Sequence, residues 1–127
     1  MFEHARSAPV SSQGWLEEAC GVVVRVCDGG ALEFRPLENV EHSATRYSVR
    51  DKDVLGILNK VNAGEWELLA IFHSHTHTAA EPSSTDVDFA RGWPDQVFLI
   101  ASLRDENIRA FRIVDGKVDE DDLSFAA

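Results

Sequence analysis

The stretch that most constrains this chain is a short apolar run that ends in histidines. Leu68-Leu69-Ala70-Ile71-Phe72 has no polar break, the pattern of a buried strand. It runs directly into His73-Ser74-His75-Thr76-His77, which holds three of the chain's five histidines. Residues two apart on a strand point to the same side, so His73 and His75 can present two imidazoles to one point. Asp86 can join them if the chain turns back. Pro82 suits the residue before a helix, Ser83 suits its N-cap, and Asp86 then falls in the first turn. Ser83-x-x-Asp86 is also a plain capping box, and both readings can hold together. Two histidines and one carboxylate with a fourth position open form a ligand set used by catalytic zinc.

A length of 127 residues fits one domain with a real core, spanning 1–127. Hydrophobic residues make up 44%, which excludes a disordered chain. No apolar run approaches membrane-spanning length, and no charged start precedes an apolar signal region. The net charge of −10 disfavours a nucleic acid partner, because phosphate contacts need clustered Lys and Arg. If Cys20 and Cys27 share one strand they lie roughly 23 Å apart, too far for a disulfide. Free thiols point to a reducing compartment, so the expected location is the cytoplasm. Cys20 is expected to act as a buried small hydrophobe.

Residues 1–14 are expected to be irregular, with His4 at the surface. A strand is expected over 15–26, where Val22, Val23, Val24 and Val26 suit a sheet centre. Asp28-Gly29-Gly30 signals a hairpin turn into a strand over 32–37. Residues 39–48 look like a surface connection, with a short strand suggested by Tyr47 and Val49. Asp51 is expected to cap a helix over 52–62 with Val54, Leu55, Leu58 and Val61 on its inner stripe, ended by Ala63-Gly64. The histidine-bearing strand is expected over 65–72 and a helix over 84–91. Pro94-Asp95 turns the chain into a strand over 96–102, a turn at 105–107 and a strand over 108–114. Asp115-Gly116 signals a second hairpin, and residues 119–127 form an acidic tail. Strands interleaved with helices give an α/β layered domain.

The run His73-x-His75, seven residues, Ser83, two residues, Asp86 matches the JAMM motif in every spacing. Glu18-Ala19-Cys20-Gly21 upstream fits the strand start that carries the family's acid. The chain therefore resembles the MPN-domain zinc metallopeptidases over roughly residues 17–118. Glu18-Ala19-Cys20-Gly21, His73-Ser74-His75-Thr76 and Phe111-Arg112-Ile113-Val114-Asp115-Gly116 look most like the small stand-alone bacterial, Mec-like branch. That resemblance implies a curved mixed sheet flanked by helices, similar to the cytidine-deaminase architecture. It implies one Zn2+ per chain held by His73, His75 and Asp86, with Glu18 rather than Glu17 as general base. Ser83 is expected to stabilise the oxyanion. Ser74 is expected to face away from the metal, and His42 and His77 to lie outside the ligand set.

The implied activity is hydrolysis of a peptide or isopeptide bond at the C-terminus of a ubiquitin-like or sulfur-carrier protein ending in Gly-Gly, with cysteine as the released group. The alternatives are removal of ubiquitin-like modifiers from lysine and a non-catalytic MPN scaffold. A zinc deaminase needs a Pro-Cys-x-x-Cys pair, and neither Cys20 nor Cys27 lies in one.

Overall fold

A computed structural model describes residues 5–6, 18–41, 48–93 and 96–121. The readings made for His4, Glu17, His42, Tyr47, Pro94-Asp95 and residues 122–127 lie outside the described residues, as does most of the 1–14 segment. The described residues build one six-stranded mixed sheet in the order β2-β1-β3-β4-β5-β6 and two helices. The strands are β1 (Cys20–Val26), β2 (Leu32–Leu37), β3 (Trp66–His75), β4 (Val97–Ser102), β5 (Asn107–Val114) and β6 (Lys117–Asp121). The helices are α1 (Asp51–Asn62) and α2 (Ser84–Ala90). Only β3 and β4 run parallel. Among the described residues, no helix is long and apolar enough to cross a membrane.

Side-chain alternation divides the core into two clusters. Val22, Val24, Ile71, Phe98, Ile100, Phe111 and Ile113 form one with Ile57 of α1 and Ala90 of α2. Val23, Ala70, Phe72, Val97, Leu99, Ala101 and Ala110 form the other, with Ala5 and Ala19. β4 is buried along its whole length, as a strand covered on both faces must be. Gly21 is fixed by close approach, since a Cβ there would stand 2.6 Å from the Phe34 ring and 2.7 Å from the Arg35 carbonyl oxygen. The ring it admits packs edge-on against Phe72, with centroids 5.3 Å apart.

Several elements differ from the sequence expectation. Helix α1 starts at Asp51, and Arg50 rather than Asp51 takes the N-cap position, without a side-chain cap. Its inner face carries Val54, Ile57 and Val61, while Leu55 (58%) and Leu58 (37%) are exposed. Residues 54, 57 and 61 follow a helical stripe as well as the expected set does, and sheet contact selects between them. Gly64, at φ 76°, ends the helix in the manner of a Schellman turn, with Glu65 N–H donating to the Lys60 carbonyl at 3.0 Å. Asp119, Glu120 and Asp121 belong to β6 and not to a solvated tail. Arg109 and Arg112 hold Glu120 and Asp121 by ion pairs, which offsets the poor strand propensity of the acidic residues. Val49 is in no strand. Cys20 is buried and Cys27 exposed, and both are free thiols, as strand geometry requires.

Candidate metal centre

Strand β3 continues three residues past Phe72 and carries His73 and His75 inside the sheet. Its register explains what gathers around them. Cys20 lies opposite His73 in the antiparallel β1–β3 ladder, and Ser74 N–H donates to the Ala19 carbonyl at 2.9 Å. Continuing that ladder places Glu18 across from His75. In the β1–β2 hairpin Cys20 pairs with Leu37, so two residues further out Asn39 falls beside Glu18. Asn39 Nδ2 donates to the Glu18 carbonyl at 3.0 Å. On the other side, His75 pairs with Ser102 at the end of β4. Asn39, Glu18, His75 and Ser102 thus form a row of buried polar residues across four neighbouring chain segments.

After His75 the chain loops out and returns through α2, whose N-cap is Ser83. Asp86 N–H donates to Ser83 Oγ at 3.1 Å and Ser83 N–H to Asp86 Oδ2 at 2.9 Å, a reciprocal capping box. The same Oδ2 lies 3.1 Å from His73 Nε2 and 3.0 Å from His75 Nε2. The two Nε2 atoms are 3.2 Å apart. The box therefore aims the carboxylate, and the capping and metal-site readings of Asp86 coexist.

This triangle fits a metal ion. A tetrahedral ion bound at about 2.0–2.2 Å sets nitrogen and oxygen ligands roughly 3.3 Å apart. The observed edges fall within a few tenths of an ångström of that. Each residue offers one ligand atom to the group, and all three residues are buried. His75 Nδ1 lies 2.8 Å from the Ala79 carbonyl, which holds the proton on Nδ1 and leaves the Nε2 lone pair for a ligand bond. Oε1 of Glu18 is buried with no hydrogen-bond partner among the described residues, an acceptor awaiting a donor.

Burial governs the charges here. It pushes the Glu18 carboxyl up to about 8, against the His75 charge and together with that of Asp86. It also lowers the basicity of His73, outweighing the help of Asp86. At His75, burial works in the same direction, but the bonds to Asp86 and to the Ala79 carbonyl leave the imidazole raised. Asp86 is opposed by burial, yet His73, His75 and the Ser83 N–H hold it well below the usual carboxylate range. Burial, then the Glu18 charge, pushes the Cys20 thiol up to about 12, so it stays a thiol at neutral pH.

His73, His75, Asp86 and Glu18 come together, and Ser83 stands exposed at the rim. His77 is exposed, with its Nδ1 2.9 Å from the Thr76 hydroxyl, and lies outside the triangle. Ser74 turns away from the triangle, and its Oγ accepts the Ala19 N–H at 2.9 Å. Two contributors have no motif to announce them. Asn39 becomes foreseeable only by counting the hairpin register outward from Asp28-Gly29-Gly30. Ser102 looks like an ordinary strand end.

Residues 3–114 match the family described as prokaryotic homologs of the JAB domain. The chain is 35% identical over 112 residues to CysO-cysteine peptidases of Mycobacterium tuberculosis and Mycobacterium bovis, covering 85% of this chain and 76% of theirs. It is 27% identical over 104 residues to a desampylase of Haloferax volcanii, covering 80% and 73%. The solution structure of a Desulfitobacterium hafniense protein matches at a TM-score of 0.75 and 31% identity, covering 95% of this chain and 82% of that one. The six-stranded α/β domain with its buried His73-His75-Asp86 group belongs to the family of prokaryotic JAB-domain homologues.

Proposed function

We propose that this protein is a zinc-dependent hydrolase that cuts the amide bond after the C-terminal glycine of a ubiquitin-like or sulfur-carrier protein, releasing cysteine. The observation that carries the reading is the buried triangle of His73, His75 and Asp86 beside a Glu18 oxygen that has no partner among the described residues. The names of the mycobacterial and haloarchaeal relatives support the substrate class. The higher identity to the CysO-cysteine peptidases than to the desampylase favours cysteine as the leaving group.

His73, His75 and Asp86 would hold one zinc ion. Zinc bound there supplies an acidified water and a Lewis-acid contact for the scissile carbonyl. Glu18 ionises once a dication faces it, because opposite charge nearby favours the carboxylate. Its free oxygen then takes the proton of the attacking water as the C–O bond forms. It returns that proton to the leaving nitrogen as the C–N bond breaks. Ser83 accepts the Asp86 N–H through a lone pair, so its own hydroxyl proton stays available for the developing oxyanion. An intact ligand set disfavours a non-catalytic scaffold.

The test is mass spectrometry of the zinc-loaded protein incubated with carrier proteins bearing a C-terminal cysteine, and separately with lysine-linked ubiquitin-like conjugates. Free cysteine and carrier ending in Gly-Gly are expected, with cleavage stopped by a chelator. Cleavage of the lysine-linked conjugates alone would reject cysteine release in favour of deconjugation.

A further inference from the structure

The loop between β3 and α2 must stop at one height above the sheet for Ala79 to meet His75, and its attachments show what sets that height. Ser102 is fully buried at the carboxyl end of β4. Its Oγ donates to the Thr78 carbonyl at 2.7 Å and accepts the Asp105 N–H at 3.0 Å. The next carbonyl along the loop, that of Ala79, faces His75 Nδ1 at 2.8 Å and also accepts the Glu81 N–H at 2.8 Å. Leu103 N–H donates to the main-chain carbonyl of His75 at 3.0 Å. His75 is therefore gripped from both ends by the tip of β4. Its backbone is held directly, and its ring meets the Ala79 carbonyl, one residue beyond the Thr78 carbonyl that Ser102 fastens.

We propose that Ser102 is a positioning residue for the metal centre, fixing the Thr78-Ala79 peptide so that His75 keeps its proton on Nδ1 and offers Nε2 to the ion. The inference rests on reading His75 as a metal ligand and goes beyond it by naming the residue that orients that ligand. Outer-shell hydrogen bonds of this kind hold the ring angle and tautomer, and losing one typically weakens metal binding 10–100-fold. An alanine at 102 removes the only hydroxyl on the Thr78 carbonyl among the described contacts. It leaves both Thr78 O and Asp105 N without that partner, so the loop is free to shift relative to the ring.

The experiment measures zinc affinity by competition with a chromophoric chelator, on purified protein whose fold is verified by circular dichroism. Ser102→Ala is expected to bind zinc about 10–100-fold more weakly than wild type. Ser102→Cys is slightly larger and keeps a weaker donor, so a smaller loss is expected, and it serves if the alanine variant does not fold. Val97→Ala lies on the same strand but in the opposite cluster, and it supplies a destabilised comparator expected to bind zinc as wild type does. His73→Ala should lose stoichiometric zinc, which separates the two ideas. Full zinc in His73→Ala would remove the ligand assignment itself. Loss of zinc there together with wild-type affinity in the Ser102 variants would overturn the positioning role alone. Equal weakening in Val97→Ala would overturn it too, by showing that general loosening moves the affinity.

Discussion

Burying a carboxyl costs free energy unless something answers its charge, and Glu18 is buried with one oxygen unpartnered. In the metal-free protein the result is a proton held up to about pH 8, while the unfolded chain releases it near 4.5. Between those values the folded state binds a proton the unfolded state has lost. This contribution to stability is full below pH 4.5 and fades as the pH rises through 8. Its size is on the order of a few kcal/mol. Urea midpoints of metal-free protein should therefore fall between pH 5 and 8.5, and Glu18→Gln should remove that part of the slope. The same variant is expected to keep its zinc and lose turnover, since it deletes a base and no ligand. Glu17→Gln should leave turnover nearly intact. Reversed behaviour of the two variants in parallel kinetic and metal assays would move the base by one position.

The unit that makes the site is β3, its following loop and α2, and most of it is legible in the spacing His73-x-His75 and Ser83-x-x-Asp86. The capping box ties local stability to chemistry. Ser83→Ala should cost about 1 kcal/mol of unfolding free energy through the lost cap. It should cost more in rate, about 100–1,000-fold in kcat, if its proton serves the oxyanion. Equal zinc content with near-normal kcat would reduce Ser83 to a helix cap. What the sequence does not display are contacts that depend on register between distant strands. Asn39 is an unremarkable polar residue until the β1–β2 hairpin sets it beside Glu18. Nothing near Ser102 in the chain points to Thr78, because β4 must first pair with β3. The inner stripe of α1 departs from expectation for a similar reason, since the sheet face it meets takes Ile57 and leaves Leu55 and Leu58 exposed. The acidic composition of β6 hides a strand that Arg109 and Arg112, on its neighbour, make tolerable.

At the scale of the whole molecule, metal binding and folding are coupled, because the triangle joins a strand to a helix reached through a loop. Zinc at 1,000 times its dissociation constant would add about 4.1 kcal/mol to stability. Loading with zinc should therefore raise the thermal midpoint by about 10–15 °C, and a chelator should reverse it. In His73→Ala the midpoint should be insensitive to both, measured by calorimetry. The polar row of Asn39, Glu18, His75 and Ser102 adds a further constraint, one of timing. During synthesis the chain emerges from its amino end, and Glu18, His73, His75 and Asp86 are all out before β4 exists. The proposed brace at Ser102 and the strand that carries it come later. A half-made chain thus carries the names of its ligands but not the frame that aims them. The hydrolytic competence proposed here would arrive only once β4 has paired with β3 and set that frame.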